Sequence, residues 1–465
     1  MKTRTETDSI GSLEVDENAY YGVQTLRASI NFPITGQKMS PSFLFHLALI
    51  KKAAAITNCE AGKLSESKRD AILEACDEVL AGKFQDQFIV DPIQGGAGTS
   101  ANMNMNEVLA NRANELLGGE KGKYNFVHPN DDVNMSQSTN DVIPTAGKMT
   151  ALALLDPLEK ELSRLIEALR EKEKEFSHVL KMGRTQLQDA VPMTMGESFA
   201  SYASSMERGK ERIEKASSEL TKINLGGTAI GTGINTTPYY REHIAENLSS
   251  LYGKKLTIAD NLFDATENLD SFVEVSGSLK ALAVSLDKFA NDLRLLSSGP
   301  RTGLHELNLP SRQNGSSIMP GKVNPVIPEV VNQVCFLVFG HDTTITMAAS
   351  EGQMELNAFE PVLFDQLFES ITSLTHAIQT LVDNCVEGIT VNKEHCFHLE
   401  QKSVGIATAL VPYIGYVKSA EIAKKALKEN HTVKEILLEE GLMKESEIDK
   451  ILNPEALAEE DETTK

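Results

Sequence analysis

The stretch FVEVSGSLKALAVSLDKFANDLRLL, residues 272–296, repeats apolar residues at alternating spacings of three and four. The repeating residues are Phe272, Val275, Leu279, Leu282, Leu286, Phe289, Leu293 and Leu296. Such a heptad pattern places these side chains on one side of a helix, where they pack against neighbouring helices. Residues 272–296 therefore predict a long helix inside a helical bundle.

A second stretch keeps the same register with one polar gap, through Leu155, Leu158, Leu162, Leu165, Leu169, Phe176 and Val179. Pro157 must kink that helix or lie in its first turn. Segments near residues 197–223 and 363–385 also predict long helices, and no series of alternating strand patterns separates them. The expected fold class is therefore all-α, a long-helix bundle. Because such seams commonly continue between subunits, we expect a homo-oligomer, with a monomeric bundle as the alternative.

At 465 residues the chain exceeds the size at which one hydrophobic core keeps growing. We expect a mostly helical N-terminal domain at residues 1–140, a central long-helix domain at 141–392, and a small helical C-terminal domain at 393–465. In the last of these, Thr432 and Glu435 predict a capping box before Ile436. The chain ends in the acidic sequence AEEDETTK, which we expect to be a frayed tail.

The composition restricts the partners and the compartment. Lys and Arg number 45 against 66 Asp and Glu, a net charge of −21 that disfavours nucleic acid and anionic membranes in the absence of a basic patch. The five scattered cysteines form no C-x-x-C pair, so neither disulfides nor a zinc site is expected. No secretory signal or apolar run of membrane-spanning length is present. These observations favour the cytoplasm.

Four polar islands interrupt the helical pattern, and each is rich in small, hydroxyl or amide side chains. They are QGGAGTS at 94–100, NMSQSTND at 134–141, GRTQLQD at 183–189 and GSSIMPGKVNP at 315–325. Any one of them could merely cap or link helices. Grouped around one ligand, they would suit a small anion, because they supply backbone access and neutral hydrogen-bond donors.

The fourth island has the features of a reactive loop. Paired serines lie between Gly315 and Gly321, and Lys322 follows. No histidine lies in the loop and G-x-S-x-G is absent, so a hydrolase triad is not supported. Another means of activation is then needed, and one possibility is that backbone amides of the loop stabilise the ionised serine. Lys322 would add local positive charge, although a solvated surface lysine is the alternative.

The sequence GSSIMPGKVNP resembles the signature loop of the fumarase/aspartase superfamily, whose members eliminate a group from a succinyl skeleton to give fumarate. The other islands also resemble conserved regions of that superfamily, over nearly the whole chain. The resemblance implies a homotetramer with a central 20-helix bundle and active sites assembled from three subunits.

The aspartase branch fits better than class II fumarase. KVNPVIPEVVNQV at 322–334 and AYYGVQT at 19–25 resemble aspartases, and Gln186 stands where fumarases have histidine. VHPNDD at 127–132 resembles the secondary anion site of fumarases, but Asn125 replaces its arginine, so we interpret His128 as a surface turn residue. Val411 departs from the expected asparagine. A non-catalytic scaffold, like the lens crystallins of this superfamily, is a further alternative.

The resemblance implies that ionised Ser316 removes a proton from C3 of L-aspartate, which gives an aci-carboxylate that expels ammonia. The implied substrate contacts are Thr99, Ser138, Thr139 and Ser317 around the β-carboxylate, Lys322 and Asn324 at the α-carboxylate, Asn140 and Thr185 at the amino group, and Gln186 near the α-carboxylate. This chemistry requires no cofactor. We find no ligand spacing for the divalent cation to which some aspartases respond.

Overall fold

The structure is a computed structural model that describes residues 2–452. About two thirds of the chain is helical (63%), which confirms the expected all-α, long-helix fold class. The predicted acidic tail lies outside the described residues. No helix between residues 2 and 452 combines the length and the apolar content needed to cross a membrane.

The N-terminal part begins with an antiparallel hairpin, which is followed by four helices. Their bounds are β1 (Thr3–Asp8), β2 (Gly11–Asp16), α1 (Val23–Asn31), α2 (Pro41–Glu60), α3 (Glu66–Leu80) and α4 (Thr99–Leu116). The sequence does not predict the hairpin, because most of its side chains are polar. Val15 and Glu6 are its only fully buried residues, so no apolar alternation marks the strands.

The central part contains the long helices. Its elements are α5 (Thr139–Glu175), β3 (Leu180–Thr185), β4 (Gln188–Thr194), α6 (Met195–Ser217), β5 (Lys222–Ile223), α7 (Pro238–Tyr252), β6 (Thr257–Ile258), α8 (Asp264–Glu267), α9 (Asp270–Leu296), β7 (Leu307–Asn308), α10 (Val326–Ser350) and α11 (Glu360–Asn384). The strands form short pairs, β3 with β4 and β5 with β6, and β7 pairs with the first strand of the C-terminal part. The helices predicted near 197–223 and 363–385 correspond to α6 and α11.

The C-terminal part is mostly helical in the residues described. It comprises β8 (Thr390–Val391), α12 (Lys393–Lys402), α13 (Val411–Glu429), α14 (Val433–Glu439) and α15 (Glu445–Ile451). The predicted capping box is confirmed, because the Thr432 side chain accepts from the Glu435 amide and the Glu435 carboxylate accepts from the Thr432 amide. Val411 begins α13, which breaks at Gly415 (φ 78°).

The predicted seam forms the buried side of α9. All eight of its apolar residues are buried, and the most exposed, Leu296, reaches only 8%. The seam of the second stretch is buried as well, but α5 ends at Glu175, so Phe176 and Val179 pack from the turn that follows. Pro157 lies inside α5, which begins at Thr139, so the alternative that placed it in a first turn is wrong.

The chain divides into two compact units. Unit 1 contains Met1–Glu159, Glu211–Ala281 and Phe336–Leu374. Unit 2 contains Lys160–Lys210, Leu282–Cys335 and Thr375–Lys465. In unit 1, α2 packs on α3 and α7, and α4 packs on α1 and α3. In unit 2, α12 and the turn Val404–Leu410 pack against the β3–β4 hairpin. The domain borders expected near residues 140 and 392 stay predictions.

Candidate active site

The loop at residues 315–325 is closed by hydrogen bonds between its own ends. The Gly315 amide donates to the Lys322 carbonyl at 2.8 Å, and the Asn324 side-chain amide donates to the Gly315 carbonyl at 2.8 Å. A Cβ atom on Gly315 would lie 2.6 Å from the Lys322 carbonyl oxygen. Glycine is therefore required where the two ends of the loop meet.

The Ser316 hydroxyl accepts two backbone hydrogen bonds inside this loop. Its Oγ lies 3.1 Å from the Ile318 amide nitrogen and 3.0 Å from the Met319 amide nitrogen. Two amides that point at one oxygen stabilise negative charge on it, as in an oxyanion hole. A serine alkoxide at this position would lie between two preorganised donors, and the activation of Ser316 stays a prediction.

The other candidate side chains of the loop are accessible. Ser317 and Lys322 are exposed, whereas Asn324 is half-buried. Lys322 has no acidic partner within ion-pair distance among residues 2–452, so its charge is available to an anion. Lys322 and Asn324 line a cavity of about 650 Å³ in unit 2, together with Arg294, His305 and Glu329.

The β3–β4 hairpin carries Thr185 and Gln186 at its exposed tip. Gln186 and Leu187 both have left-handed backbone angles (φ 54° and 62°), as a tight two-residue hairpin turn requires. The first strand of the hairpin, β3, is anchored by Glu306, which is fully buried. One oxygen of Glu306 lies 2.5 Å from the Arg184 guanidinium, and the other lies 3.4 Å from the Lys181 ammonium.

The C-terminal part holds the other strand of this hairpin. The Ser403 hydroxyl donates to the Asp189 carboxylate at 2.7 Å, and a Cβ on Gly405 would lie 2.3 Å from the Ala190 carbonyl oxygen. The strand that follows Gln186 is therefore fixed by the segment between α12 and α13.

In unit 1, the first two islands lie at the starts of α4 and α5. Thr99 is the first residue of α4 and is exposed, and its hydroxyl donates to the Gly96 carbonyl at 2.7 Å. Ser138 caps α5, since its Oγ accepts from the Asn140 amide at 3.3 Å. The Thr139 hydroxyl accepts from the Asn102 side chain at 3.2 Å. Both islands therefore lie at helix N-termini, where the backbone amides favour anions.

Two further features of unit 1 were missed in the sequence. Lys51 of α2 is fully buried and donates to three amide oxygens: Asn102 Oδ1 at 2.7 Å, Asn134 Oδ1 at 3.0 Å and Gln137 Oε1 at 2.9 Å. Burial lowers the pKa of Lys51 to about 7. A lysine at the end of an apolar run looks like a solvated side chain. The available signal was Asn102, Asn104 and Asn106, since buried amides need partners.

The second missed feature is the loop NLGGTAIGTG at residues 224–233, which meets the start of α5. The Asn140 side-chain amide donates to the Ala229 carbonyl at 2.7 Å, and the Asn224 side-chain amide donates to the Asn140 carbonyl at 3.0 Å. A Cβ on Gly231 would lie 2.6 Å from the Phe263 amide nitrogen. Four glycines in eight residues were the signal of this fifth island.

His128 is a half-buried residue that starts a turn. Its Nδ1 accepts from the Asn130 and Asp131 amides, at 3.2 and 3.3 Å, and begins the turn Pro129–Val133. This contact fits the interpretation of His128 as a turn residue, since the ring nitrogen is occupied by the backbone.

The structure brings the candidate residues together in two groups. Thr99, Ser138, Thr139 and Asn140 lie in unit 1, whereas Thr185, Gln186, Ser316, Ser317, Lys322 and Asn324 lie in unit 2. Their roles toward a substrate stay predictions.

A separate cluster of possible metal ligands lies on the surface of the C-terminal part. Among the described residues, the ligand atoms of Glu429, His431 and Glu439 lie within 4.8 Å of one another, and all three side chains are exposed.

Comparison with known proteins identifies similar chains. A family model described as "Lyase" matches residues 11–340, and one described as "Fumarase C C-terminus" matches residues 406–459. The chain is 53% identical over 454 residues to an aspartate ammonia-lyase of Helicobacter pylori, covering 97% of each. A fumarate lyase:delta crystallin from Brucella melitensis bound to cobalt has a TM-score of 0.95 and 48% identity, covering 98% of this chain and 100% of that one. A class II fumarase from Schistosoma mansoni also has a TM-score of 0.95, with 36% identity over 98% of this chain and 99% of that one.

Replacing the buried anchor of the hairpin tests its structural role. Glu306→Gln leaves Lys181 and Arg184 without their buried counter-charge, so we expect the free energy of unfolding to fall by about 3–5 kcal/mol. The matched control is Glu387→Gln, because Glu387 is 59% exposed and lies 3.9 Å from Arg164. That change should cost less than about 1 kcal/mol. Urea unfolding at one protein concentration measures both, and equal losses would contradict the anchoring role.

Proposed function

This chain belongs to the lyase family that matches residues 11–340, and we propose that it converts L-aspartate reversibly into fumarate and ammonia. The activity is that of an aspartate ammonia-lyase, the name of relatives about half identical over 97% of the chain. Hydration of fumarate to malate is the alternative reaction, and it has weaker support because the similar class II fumarase is 36% identical.

The observation that carries the proposed chemistry is the pair of amides at Ser316 Oγ. In the proposed mechanism, the ionised Ser316 oxygen takes the proton from C3 of L-aspartate. The electron pair of that C–H bond moves onto the β-carboxylate, which becomes an aci-carboxylate with an extra negative charge. Collapse of this intermediate forms the C2–C3 double bond and breaks the C2–N bond, so ammonia leaves with the electron pair.

Donors must surround the aci-carboxylate, because the C3–H acid is very weak. Each well-aimed donor contributes roughly 3 kcal/mol, by comparison with oxyanion holes. We assign four hydroxyl donors to the β-carboxylate: Thr99, Ser138, Thr139 and Ser317. Lys322 and Asn324 bind the α-carboxylate, and Gln186 lies beside it. Asn140 and Thr185 bind the amino group.

The leaving group determines the expected pH behaviour. No general acid is assigned to the leaving group, so the amino group must be protonated when the C2–N bond breaks, and it then leaves as neutral ammonia. Because the Ser316 hydroxyl must be ionised to act as the base, we propose a neutral to alkaline optimum. The proposed steps require no cofactor. The five free cysteines support a reducing compartment, and we propose a cytoplasmic location.

We propose a homotetramer whose active sites are shared between subunits. On α10, four large apolar side chains stay exposed within the described chain: Val330 (40%), Phe336 (58%), Leu337 (48%) and Met347 (62%). An exposed apolar stripe on a long helix is typical of a surface that packs against another subunit. A second copy of α10 would cover it with the same kind of side chain.

The substrate is tested by supplying fumarate with and without ammonia. We expect aspartate to form when both are present, and ammonia to be released from L-aspartate in the reverse assay. Malate formed from fumarate alone, without any aspartate from the complete mixture, would assign the chain to the fumarase reaction. Absence of both reactions would favour a non-catalytic scaffold.

Ser316→Ala tests the base. Turnover should fall by about 10³-fold or more, because no other group in the loop replaces the alkoxide. The oligomer should stay intact, as measured by light scattering, since the hydrogen bonds of the Ser316 side chain within residues 2–452 come from the Ile318 and Met319 amides of its own loop. Ser177→Ala, at an exposed serine in unit 2, is the matched control and should keep full activity. Normal turnover of Ser316→Ala would remove the serine from its role.

Phe336→Asp tests the proposed subunit interface. A charge in the apolar stripe of α10 would be buried on assembly, so we expect smaller species in size-exclusion chromatography with light scattering, and loss of activity with them. Ile10→Asp is the control, because Ile10 is 77% exposed at the turn of the N-terminal hairpin. An unchanged oligomer in Phe336→Asp would contradict the assignment of this surface.

A further inference from the structure

Asp141 is a fully buried carboxylate that joins the start of α5 to the loop at residues 224–233. Its Oδ1 accepts from the Ser138 amide at 2.9 Å. Its Oδ2 accepts from the amides of Gly226 and Thr228, both at 3.0 Å. Three backbone donors therefore fix one carboxylate, and none of the substrate roles proposed above uses it.

The position of the loop depends on this carboxylate. Thr228 has a left-handed backbone angle (φ 55°), which is unfavourable for a β-branched residue. Its hydroxyl is buried without a hydrogen-bond partner among the described residues, so that side chain does not compensate for the strain. The bond from the Thr228 amide to Asp141 acts directly on this residue and favours its conformation, and Ala229 follows directly.

The Ala229 carbonyl in turn orients the side chain of Asn140. The carboxamide of Asn140 has one donor group and one acceptor oxygen. Because Nδ2 donates to Ala229 at 2.7 Å, the acceptor Oδ1 is directed away from that contact. A substrate amino group presents N–H donors, and so it needs an acceptor. If the carboxamide were reversed, Nδ2 would face the N–H donors of the substrate amine.

We propose that Asp141 is a positioning residue for recognition of the amino group, and that it acts through the Ala229 carbonyl and the Asn140 carboxamide. This inference rests on the proposed function, in which Asn140 receives the amine. It assigns amine recognition partly to a residue that never touches the substrate. The glycine-rich loop at residues 224–233, which was not predicted from the sequence, then contributes to the discrimination between an amino group and a hydroxyl group on the substrate.

Asp141→Asn is the first test, made in the full-length oligomer. The new NH₂ group would face backbone N–H donors, which would displace Ala229 and release the Asn140 carboxamide. We expect KM to rise about 10- to 100-fold for L-aspartate and, in the reverse direction, for ammonium, the range for a lost hydrogen bond to a charged group. The KM of fumarate and the inhibition constant of succinate, a dicarboxylate without an amine, should change less than about twofold.

The matched control is Glu107→Gln in α4. Glu107 is also buried and also binds three backbone amides, those of Gly22, Gln24 and Thr25, at 2.8 to 3.1 Å. Its hydrogen bonds within residues 2–452 go to Gly22, Gln24 and Thr25, and not to Asn140 or the loop at residues 224–233. We expect this variant to lose stability while the ratio of the aspartate KM to the succinate inhibition constant stays at the wild-type value.

A double-mutant cycle with Asn140→Ala tests whether the effect passes through Asn140. If it does, Asp141→Asn causes no further rise of the ammonium KM once the carboxamide is absent. Asp141→Ser, whose hydroxyl can accept from one of the three amides, serves if Asp141→Asn does not assemble, and should give an intermediate shift. Full additivity in the cycle would overturn the proposal.

Equal loss of aspartate and succinate binding in the Asp141 variants would also overturn the proposal, because it would show a purely structural role. The two proposals fail in distinguishable ways. A wild-type protein that releases no ammonia from L-aspartate would refute the proposed function itself. An active wild type whose Asp141 variants show no amine-specific change would refute only this inference.

Discussion

A charged side chain inside an apolar core costs free energy unless hydrogen bonds or an opposite charge surround it. For three buried carboxylates that cost is offset by contacts with segments at or between the ends of the helices. Glu107 binds amides at the start of α1, Asp141 binds amides of the glycine-rich loop, and Glu306 binds the cations of β3. Each of these three carboxylates therefore needs the segment that it binds, and that segment is held in place by the carboxylate. The polar segments thereby obtain a rigid attachment to the helical core.

The sequence predicted the parts of the structure that depend on a periodic or local signal. The seam of α9 is read from its spacing alone, and the Thr432–Glu435 box from two residues three apart. The Ser316 loop was also predictable, since glycines, prolines and the lack of a histidine leave backbone amides as the means of activation. These features are specified by neighbours in the chain, so the signal and the structure lie in the same few residues.

Other features depend on partners far apart in the sequence, and a single sequence does not reveal them. Lys51 becomes a buried donor only because Asn102, Asn134 and Gln137 lie around it in the fold. The N-terminal hairpin forms from mostly polar strands, since it is fixed by side chains such as Arg4, which donates to the carbonyls of Asp16, Glu17 and Ala19. The candidate site has the same limitation, because its residues divide between two compact units and only local groups could be inferred.

Apart from the Glu329 amide, which donates to the Pro325 carbonyl at the start of α10, the hydrogen bonds of the Ser316 loop in the described part of the chain join residues 315–326 to one another. The Ser316 oxygen is thus oriented by amides of the loop itself and not by the bundle that carries it. If Ser316 is the base, as proposed, evolution can vary the surrounding helices and hairpins, and with them the group that is eliminated, without rebuilding this loop. A segment of this kind is inherited as a unit, so it is expected to stay recognisable long after the surrounding sequence has diverged.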